Sequence, residues 1–278
     1  MIEPAQRDDG LVADIAGAPD AGDRFHAWWL GQSGFLLKFD GHLLAFDPYL
    51  SDSLSAKYAG TDKPHVRMTG RCLDPARLRE SGIPLAAITS SHNHTDHLDA
   101  ETLRALAPAD LVLPEANMAF ARERLGSDCG LRFHGIAPGA PATTCGPFTI
   151  AAIPAAHNEV AQGFVGFAAR FGDFTVYHSG DTLWHDALVP SLVPFAPIDL
   201  ALVPINGNDP ARRVAGNLNG TEAAALARAI NARLAIPHHF DMFEFNTASP
   251  DEFVQACKRL GQPHRVLLCG ERITFPQH

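Results

Sequence analysis

The chain has 278 residues, 46% of them hydrophobic, enough for a sizeable core in one layered α/β domain or two smaller ones. Its formal net charge is −9, from 22 Lys and Arg against 31 Asp and Glu, and no polybasic run occurs. That balance argues against nucleic acid as a main partner, because phosphate backbones need clustered cations, while a small anionic substrate held by one or two arginines stays compatible.

Residues 1–23 read as a loose polar lead-in, with charges where a secretory signal would be apolar. A single domain is expected over 24–278. Phe25 to Leu30, Gly34 to Phe39 and His42 to Phe46 read as three short strands, separated by Gly31-Gln32-Ser33-Gly34 and by Asp40-Gly41, a strong hairpin signal. The third strand ends in Asp47-Pro48-Tyr49-Leu50. Residues 51–74 lack periodicity and contain Lys57, Tyr58, Lys63, His65, Arg67 and Arg71. Such long loops are usually functional, so a flap over a site is expected, against a surface loop with solvated charges. A short helix follows Asp74-Pro75 to about Glu80.

Leu85 to Ser90 is an apolar run that reads as a buried strand. It leads into Ser91-His92-Asn93-His94-Thr95-Asp96-His97-Leu98-Asp99, with Asp99 placed to cap a helix over 100–107. Beyond it come a strand at 111–113, a helix from Glu115 to Leu125, and strands at 131–136 and 148–153, the last ending in Pro154-Ala155-Ala156-His157. Phe164 to Phe171 and Phe174 to Tyr177 form a hairpin that runs into His178-Ser179-Gly180-Asp181-Thr182. A helix and loop at 183–198 precede the strand Leu200 to Pro204 and the polar loop Asn206-Gly207-Asn208-Asp209. A helix from Thr221 to about Asn231, a strand at 234–236 ending in Pro237-His238-His239-Phe240, a helix at 250–260 and closing strands at 265–268 and 272–275 complete the chain.

No run approaches ~18 apolar residues, so no membrane span is expected. The five cysteines are odd in number, scattered and without a C-x-x-C pair. Reduced thiols in a cytoplasmic chain are expected, acting as small core residues.

The segment from His92 to His97 concentrates the chemistry. Three histidines and a carboxylate in the spacing H-x-H-x-D-H are ligands for divalent transition metals. In an extended segment His92 and His94 point to the same side. A turn after His94 brings Asp96 and His97 to a second position, so one loop could serve two metals. His157, Asp181 and the His238/His239 pair stand at later strand ends. Each alone reads as an ordinary polar residue; together with the cluster they read as one site.

With these pieces the chain resembles the metallo-β-lactamase superfamily of metal-dependent hydrolases, from about Phe25 to Phe275. The resemblance implies a four-layered αβ/βα sandwich with the site along one edge of two facing sheets. It also implies that His92, His94 and His157 surround one metal, that Asp96, His97 and a histidine of the Pro237 segment hold a second, and that Asp181 bridges both. Related hydrolases carry Pro-x-His-aromatic here, which makes His239 the expected ligand and His238 a supporting or pocket residue. Asp47 is expected to orient a ligand histidine. Within the superfamily, Trp29 to Phe35, Asp47 to Ser53, Ser179 to Leu183 and Pro204 to Asp209 with Gly216-Asn217 resemble the L-ascorbate-6-phosphate lactonase group, although the 60–72 loop departs from it.

The implied chemistry is hydrolysis by a hydroxide shared between two divalent ions, Zn or Mn with Fe also compatible, and with Asp96 or His185 carrying the proton. The expected substrate is a lactone or ester of a small sugar-acid-like molecule. Candidate groups for its anion are Arg67, Arg71, Arg212 and Arg213, together with Asn206 and Asn208; Tyr58 is a further pocket candidate. A phosphodiesterase of the same fold and a non-catalytic metal-binding protein are the alternatives. A homo-oligomer is compatible, since superfamily relatives often assemble.

Overall fold

Strand β1 (Phe25–Gly31) is buried along its whole length, which a half-buried sheet face cannot produce. Its two faces meet different layers. Phe25 packs on Phe171 and Phe174 at ring separations of 5.3 and 5.1 Å, while Trp28 Nε1 donates to Asp14 on the opposite side. The computed structural model describes residues 1–157 and 160–276.

The first sheet continues with β2 (Gly34–Phe39), β3 (His42–Phe46), β4 (Leu85–Thr89), β5 (Ala109–Pro114) and β6 (Leu131–Ile136). The second contains β7 (Thr143–Cys145), β8 (Phe148–Ala156), β9 (Val160–Phe171), β10 (Phe174–His178), β11 (Leu200–Pro204) and β12 (Leu234–His238). Strand β13 (Arg272–Phe275) returns to the first, giving the orders β13-β1-β2-β3-β4-β5-β6 and β12-β11-β10-β9-β8-β7. Both sheets are mixed: β3 to β6 run parallel, as do β10 to β12, and the remaining pairs are antiparallel. Helices flank the pair, so the architecture is the α/β sandwich expected. The β2–β3 turn uses Asp40 and Gly41 at φ 48° and 69°, the left-handed pair that a two-residue hairpin requires.

Phe25, Phe39, Phe148, Phe171, Phe174 and Phe275 interlock between the sheets. These rings lie where β1 and β10 begin. The opposite edge, where β1, β3, β4, β8, β10 and β12 end, is left for polar loops. That edge carries the site.

Helices α1 (Asp8–Gly17), α2 (Ser53–Lys57), α3 (Pro75–Glu80), α4 (Ala100–Leu106), α5 (Met118–Leu125), α6 (Leu188–Leu192), α7 (Gly220–Ala229) and α8 (Asp251–Leu260) occupy the connections. Helix α7 starts with a capping box, Asn219 and Glu222, and packs on β11, β12 and α8.

Two sequence expectations are corrected. The first 23 residues are not a loose lead-in, because α1 buries Leu11 and Ile15, one turn apart, beneath β1. Its last carbonyls are satisfied by a buried lysine: Lys38 Nζ donates to the oxygens of Ile15, Ala16 and Ala18. Residues 265–268 form no strand, although Arg265 N does reach Ala235 O.

Candidate metal centre

The histidine loop leaves β4 and is held from several directions. Ser90 N donates to Val112 O on β5, and Val165 N of β9 donates to Ser91 O. His97 N and Leu98 N both donate to His94 O, which makes the turn after His94. Asp99 then caps α4 through Thr102 N, and its other oxygen accepts from Ser53 Oγ. Arg124 of α5 props the loop from outside, donating to the carbonyls of Asn93 and Leu98.

Three other strand ends deliver groups to this loop. Gly180 adopts φ +58°, and a Cβ there would lie 2.6 Å from Ser91 Cβ and 2.8 Å from Val165 O. Only glycine lets the β10 end approach closely enough to present Asp181. His239, at φ 62°, turns out of the β12 direction. Gln32 and Asp47 also have positive φ, at 50° and 40°. Backbone strain of this kind, about 1–3 kcal/mol per residue, persists only where surrounding contacts enforce it.

Asp181 stands at the centre. Its Oδ1 is 3.4 Å from His97 Nε2, and its Oδ2 is 3.3 Å from His239 Nε2 and 3.7 Å from His157 Nε2. Asp96 Oδ2 lies 3.6 Å from His97 Nε2 and 3.8 Å from His239 Nε2. The His92 ring centroid is 4.5 Å from that of His94 and 5.0 Å from that of His157. At this centre three triplets of described residues have ligand atoms within 4.8 Å of one another: His92, His94 and His157; His92, His97 and Asp181; and Asp96, His97 and His239.

Several imidazoles are held by their other nitrogen. His97 Nδ1 is 2.6 Å from Asp47 Oδ2, and His157 Nδ1 is 3.0 Å from Gly216 O. Asp47 is fully buried and is itself fixed by Ser91 N, Ser91 Oγ and Thr89 Oγ1. The Nε2 atoms of His92 and His97 are buried without a hydrogen-bond partner among the described residues. Unpartnered nitrogens aimed at carboxylates, with an all-nitrogen and oxygen donor set, fit divalent transition metals.

The electrostatics agree. Burial, reinforced by neighbouring histidines, pushes His92 well below the usual imidazole range and His157 down to about 4. Both rings are therefore neutral at physiological pH, the form in which an imidazole can bind a metal. For His97 burial acts downward, but Asp181 and Asp96 outweigh it and raise it well above that range. For Asp181 burial acts upward, and His239 and His97 outweigh it, holding the carboxylate well below its ordinary value.

Above these groups opens a cavity of about 380 Å³. His94, Asp96, His157, Asp181 and His239 line it together with Lys57, Tyr58 and His65 of the 51–74 segment and with Arg213 and Val214. The 51–74 segment is a pinned wall. Met68 N donates to Met242 O, Glu244 N to Val66 O and Thr69 Oγ1 to Asp241 O. Tyr58 stacks on His65 at 4.1 Å, and His65 meets Phe243 and Phe245 edge-on.

Other candidates lie elsewhere, each for a visible reason. His185 does not line the cavity; its Nε2 faces Pro154 O at 3.2 Å. His238 points into the core, stacked on His178 with ring centroids 5.1 Å apart. Arg67 is spent on Asp52, Ser51 O and Thr69 O. Arg212 binds the carbonyls of Asn206 and Thr247, and Asn206 is buried against Asn217 and Asn246. Asn208 and Arg71 are exposed outside the cavity. Of the arginines proposed for an anion, Arg213 alone lines it, paired to Asp62 at 2.5 Å.

Sequence reasoning assigned no role to Gln32, whose Nε2 donates to Asp96 Oδ2 at 2.8 Å, nor to Ser91, Arg124 and Phe245. The turn Gly31 to Gly34 between two strands was the available signal for Gln32. Nothing local marks the others.

The chain matches the family model of the beta-lactamase superfamily domain over residues 45–240. It is 31% identical over 258 residues to a UPF0173 metal-dependent hydrolase of Opitutus terrae, covering 88% of this chain and 97% of that protein. To a UPF0173 metal-dependent hydrolase of Carboxydothermus hydrogenoformans it is 26% identical over 256 residues, covering 89% and 98%. Igni18, a metallo hydrolase from Ignicoccus hospitalis, shares the fold with a TM-score of 0.67 at 22% identity, over 92% of this chain and 100% of that one.

Proposed function

This chain belongs to the beta-lactamase superfamily and is a metal-dependent hydrolase of the metallo-β-lactamase fold, and from that premise we propose a binuclear lactonase or ester hydrolase acting on a small acid. In this reading His92, His94 and His157 hold one divalent ion, Asp96, His97 and His239 hold the other, and Asp181 reaches both. Zn²⁺ and Mn²⁺ suit the donors, and Fe is compatible. The observation that carries the reading is the placement of Asp181, whose two oxygens face His157, His97 and His239 at 3.3–3.7 Å.

Bound ions of this kind lower the pKa of water to about 7 and polarise a carbonyl. The chain's own residues do the rest. Asp47 and Gly216 O fix the ring planes of His97 and His157. Asp96, open to the cavity and oriented by Gln32, takes up the proton released as water attacks the acyl carbon. Lys57 and Arg213, the latter paired to Asp62, both line the cavity, where a carboxylate or phosphate of the substrate would meet them. Leu54, Phe243 and Phe245 give the cavity an apolar part of its lining. In the absence of His185 from the cavity, Asp96 is the proton carrier of this proposal.

The test is turnover. Protein loaded with Zn²⁺ or Mn²⁺ is offered matched panels of lactones, carboxylic esters and phosphodiesters. Hydrolysis of lactones or esters bearing an acidic substituent is expected. Turnover of diesters alone would overturn the assignment in favour of the phosphodiesterase reading.

A further inference from the structure

At the end of the sandwich opposite the catalytic edge, three chemically distinct donors converge from two sheets. Asp110 stands at the start of β5 and His134 on β6, on strands that pair in parallel with Asp110 beside Arg132. Cys145 comes from β7, the edge strand of the other sheet. The carboxylate, imidazole and thiol present ligand atoms within 4.8 Å of one another. Asp110 and Cys145 are buried, and His134 is partly exposed to solvent. His134 Nε2 is 3.0 Å from Asp110 Oδ1. Tetrahedral bonds of about 2.0–2.3 Å put ligand atoms ~3.3–3.8 Å apart, so small side-chain rotations suffice.

We infer that Asp110, His134 and Cys145 form a separate zinc site that ties the edges of the two sheets together, with solvent water as the fourth ligand. Sulfur, nitrogen and oxygen in one triad select a borderline-soft ion. Arg132 makes a paired contact to both oxygens of Asp110, at 2.6 and 2.9 Å. Its side chain is 79% exposed, so it can keep one of those bonds and yield to an ion. An arginine behind a ligand carboxylate also orients it, as outer partners of metal ligands commonly do. Burial, then the charge of Asp110, pushes the Cys145 thiol up to about 12. A divalent ion between the two reverses that penalty and displaces the proton to solvent. Asp110 lies at the start of β5 and Cys145 opposite Phe148 at the start of β8, whereas every group of the catalytic centre lies beyond strand ends, so the two sites are separate.

Cobalt distinguishes them. The catalytic groups offer only nitrogen and oxygen, so a sulfur-to-cobalt charge-transfer band in the near ultraviolet can arise only from a cysteine. Titration of the full chain with Co²⁺ is expected to produce that band, and His94→Ala is expected to keep it. Cys145→Ser is expected to abolish it and to lower bound zinc by about one equivalent, while Cys129→Ser leaves both unchanged. Alkylation of Cys145 by iodoacetamide, followed by mass spectrometry on the unaltered chain, gives a readout independent of variant folding; zinc is expected to slow it at least tenfold. No sulfur band at saturating Co²⁺, or equal alkylation rates with and without zinc, would overturn the inference.

Discussion

Asp47 Oδ2 lies 2.6 Å from His97 Nδ1, and both side chains are wholly buried. The contact joins the end of β3 to the histidine loop after β4, and Ser91 completes it by bonding both partners. Its consequence is orientation: with Nδ1 occupied, His97 offers Nε2 toward Asp181 and Asp96. Asp47→Ala should lower affinity for the divalent ions by about 10–100-fold, the usual effect of removing a partner behind a ligand histidine. Competition against a chromophoric chelator measures it, and unchanged affinity would contradict the role.

The same contact makes a prediction about protons. In the metal-free protein burial acts to lower His97, but Asp181 and Asp96, with Asp47 bonded behind, raise it well above its ordinary range. A raised pKa means that His97 carries its proton at pH 7. Metal must displace it, so binding should release roughly one proton from this residue. Calorimetry in buffers of different ionisation enthalpy reads that number. Affinity should rise with pH until His97 is deprotonated, and a buffer-independent enthalpy at pH 7 would refute the protonated state.

His238 and His239 are neighbours with opposite fates. His239 Nε2 is 3.3 Å from Asp181, while His238 lies flat on His178. On the binuclear proposal, His239→Ala should lose about one of the two metal equivalents of this centre with little change in stability. His238→Ala should keep the metals and cost about 3 kcal/mol, the scale of emptying a buried ring site. Metal analysis beside urea denaturation separates the two, and metal loss in the His238 variant would reverse the assignment.

Lys57 stands on the cavity wall with its ammonium 5.1 Å from the Tyr58 ring. If it meets the anion of the substrate, Lys57→Ala should raise KM about tenfold for acidic lactones, a loss of about 1.4 kcal/mol. The kcat should stay within a few-fold, and KM for uncharged esters should not move. Equal KM for the acidic substrates would exclude Lys57 from recognition.

Lys38 supports the fold away from chemistry. Its ammonium, 4% exposed, serves three carbonyls at the end of α1 and pairs with Asp20 at 3.2 Å. Lys38→Met should cost about 3–5 kcal/mol, because those acceptors stay behind without their donor. Denaturant unfolding checks this, and metal content of the folded variant should remain that of the parent.

Local chemistry was legible in the sequence. Apolar runs punctuated by Asp-Gly and Gly-rich turns placed the strands, because both signals act over a few residues. The H-x-H-x-D-H spacing and the polar residues at later strand ends marked the centre for the same reason. The helix at Asp8–Gly17 escaped notice because its only apolar stripe is Leu11 and Ile15, and its support comes from Lys38, more than twenty residues later.

Long-range partnership was decided by the tertiary structure. Arg67 and Arg212 resemble Arg213 in sequence terms, yet the first two are consumed by backbone carbonyls and, of these three, only Arg213 lines the cavity. His185 follows Asp181 by four residues but turns to Pro154 O instead. A side chain's type and spacing state which bonds it can make. Which bonds it does make depends on which donors and acceptors folding brings within about 3 Å, and those can lie far along the chain, 64 residues for Gln32 and Asp96 and 207 for Gln32 and His239. The histidine loop shows both halves. Its ligand chemistry is written between His92 and His97, and its geometry is set by Asp47, Asp181, His239 and Gln32 arriving from four other places in the chain.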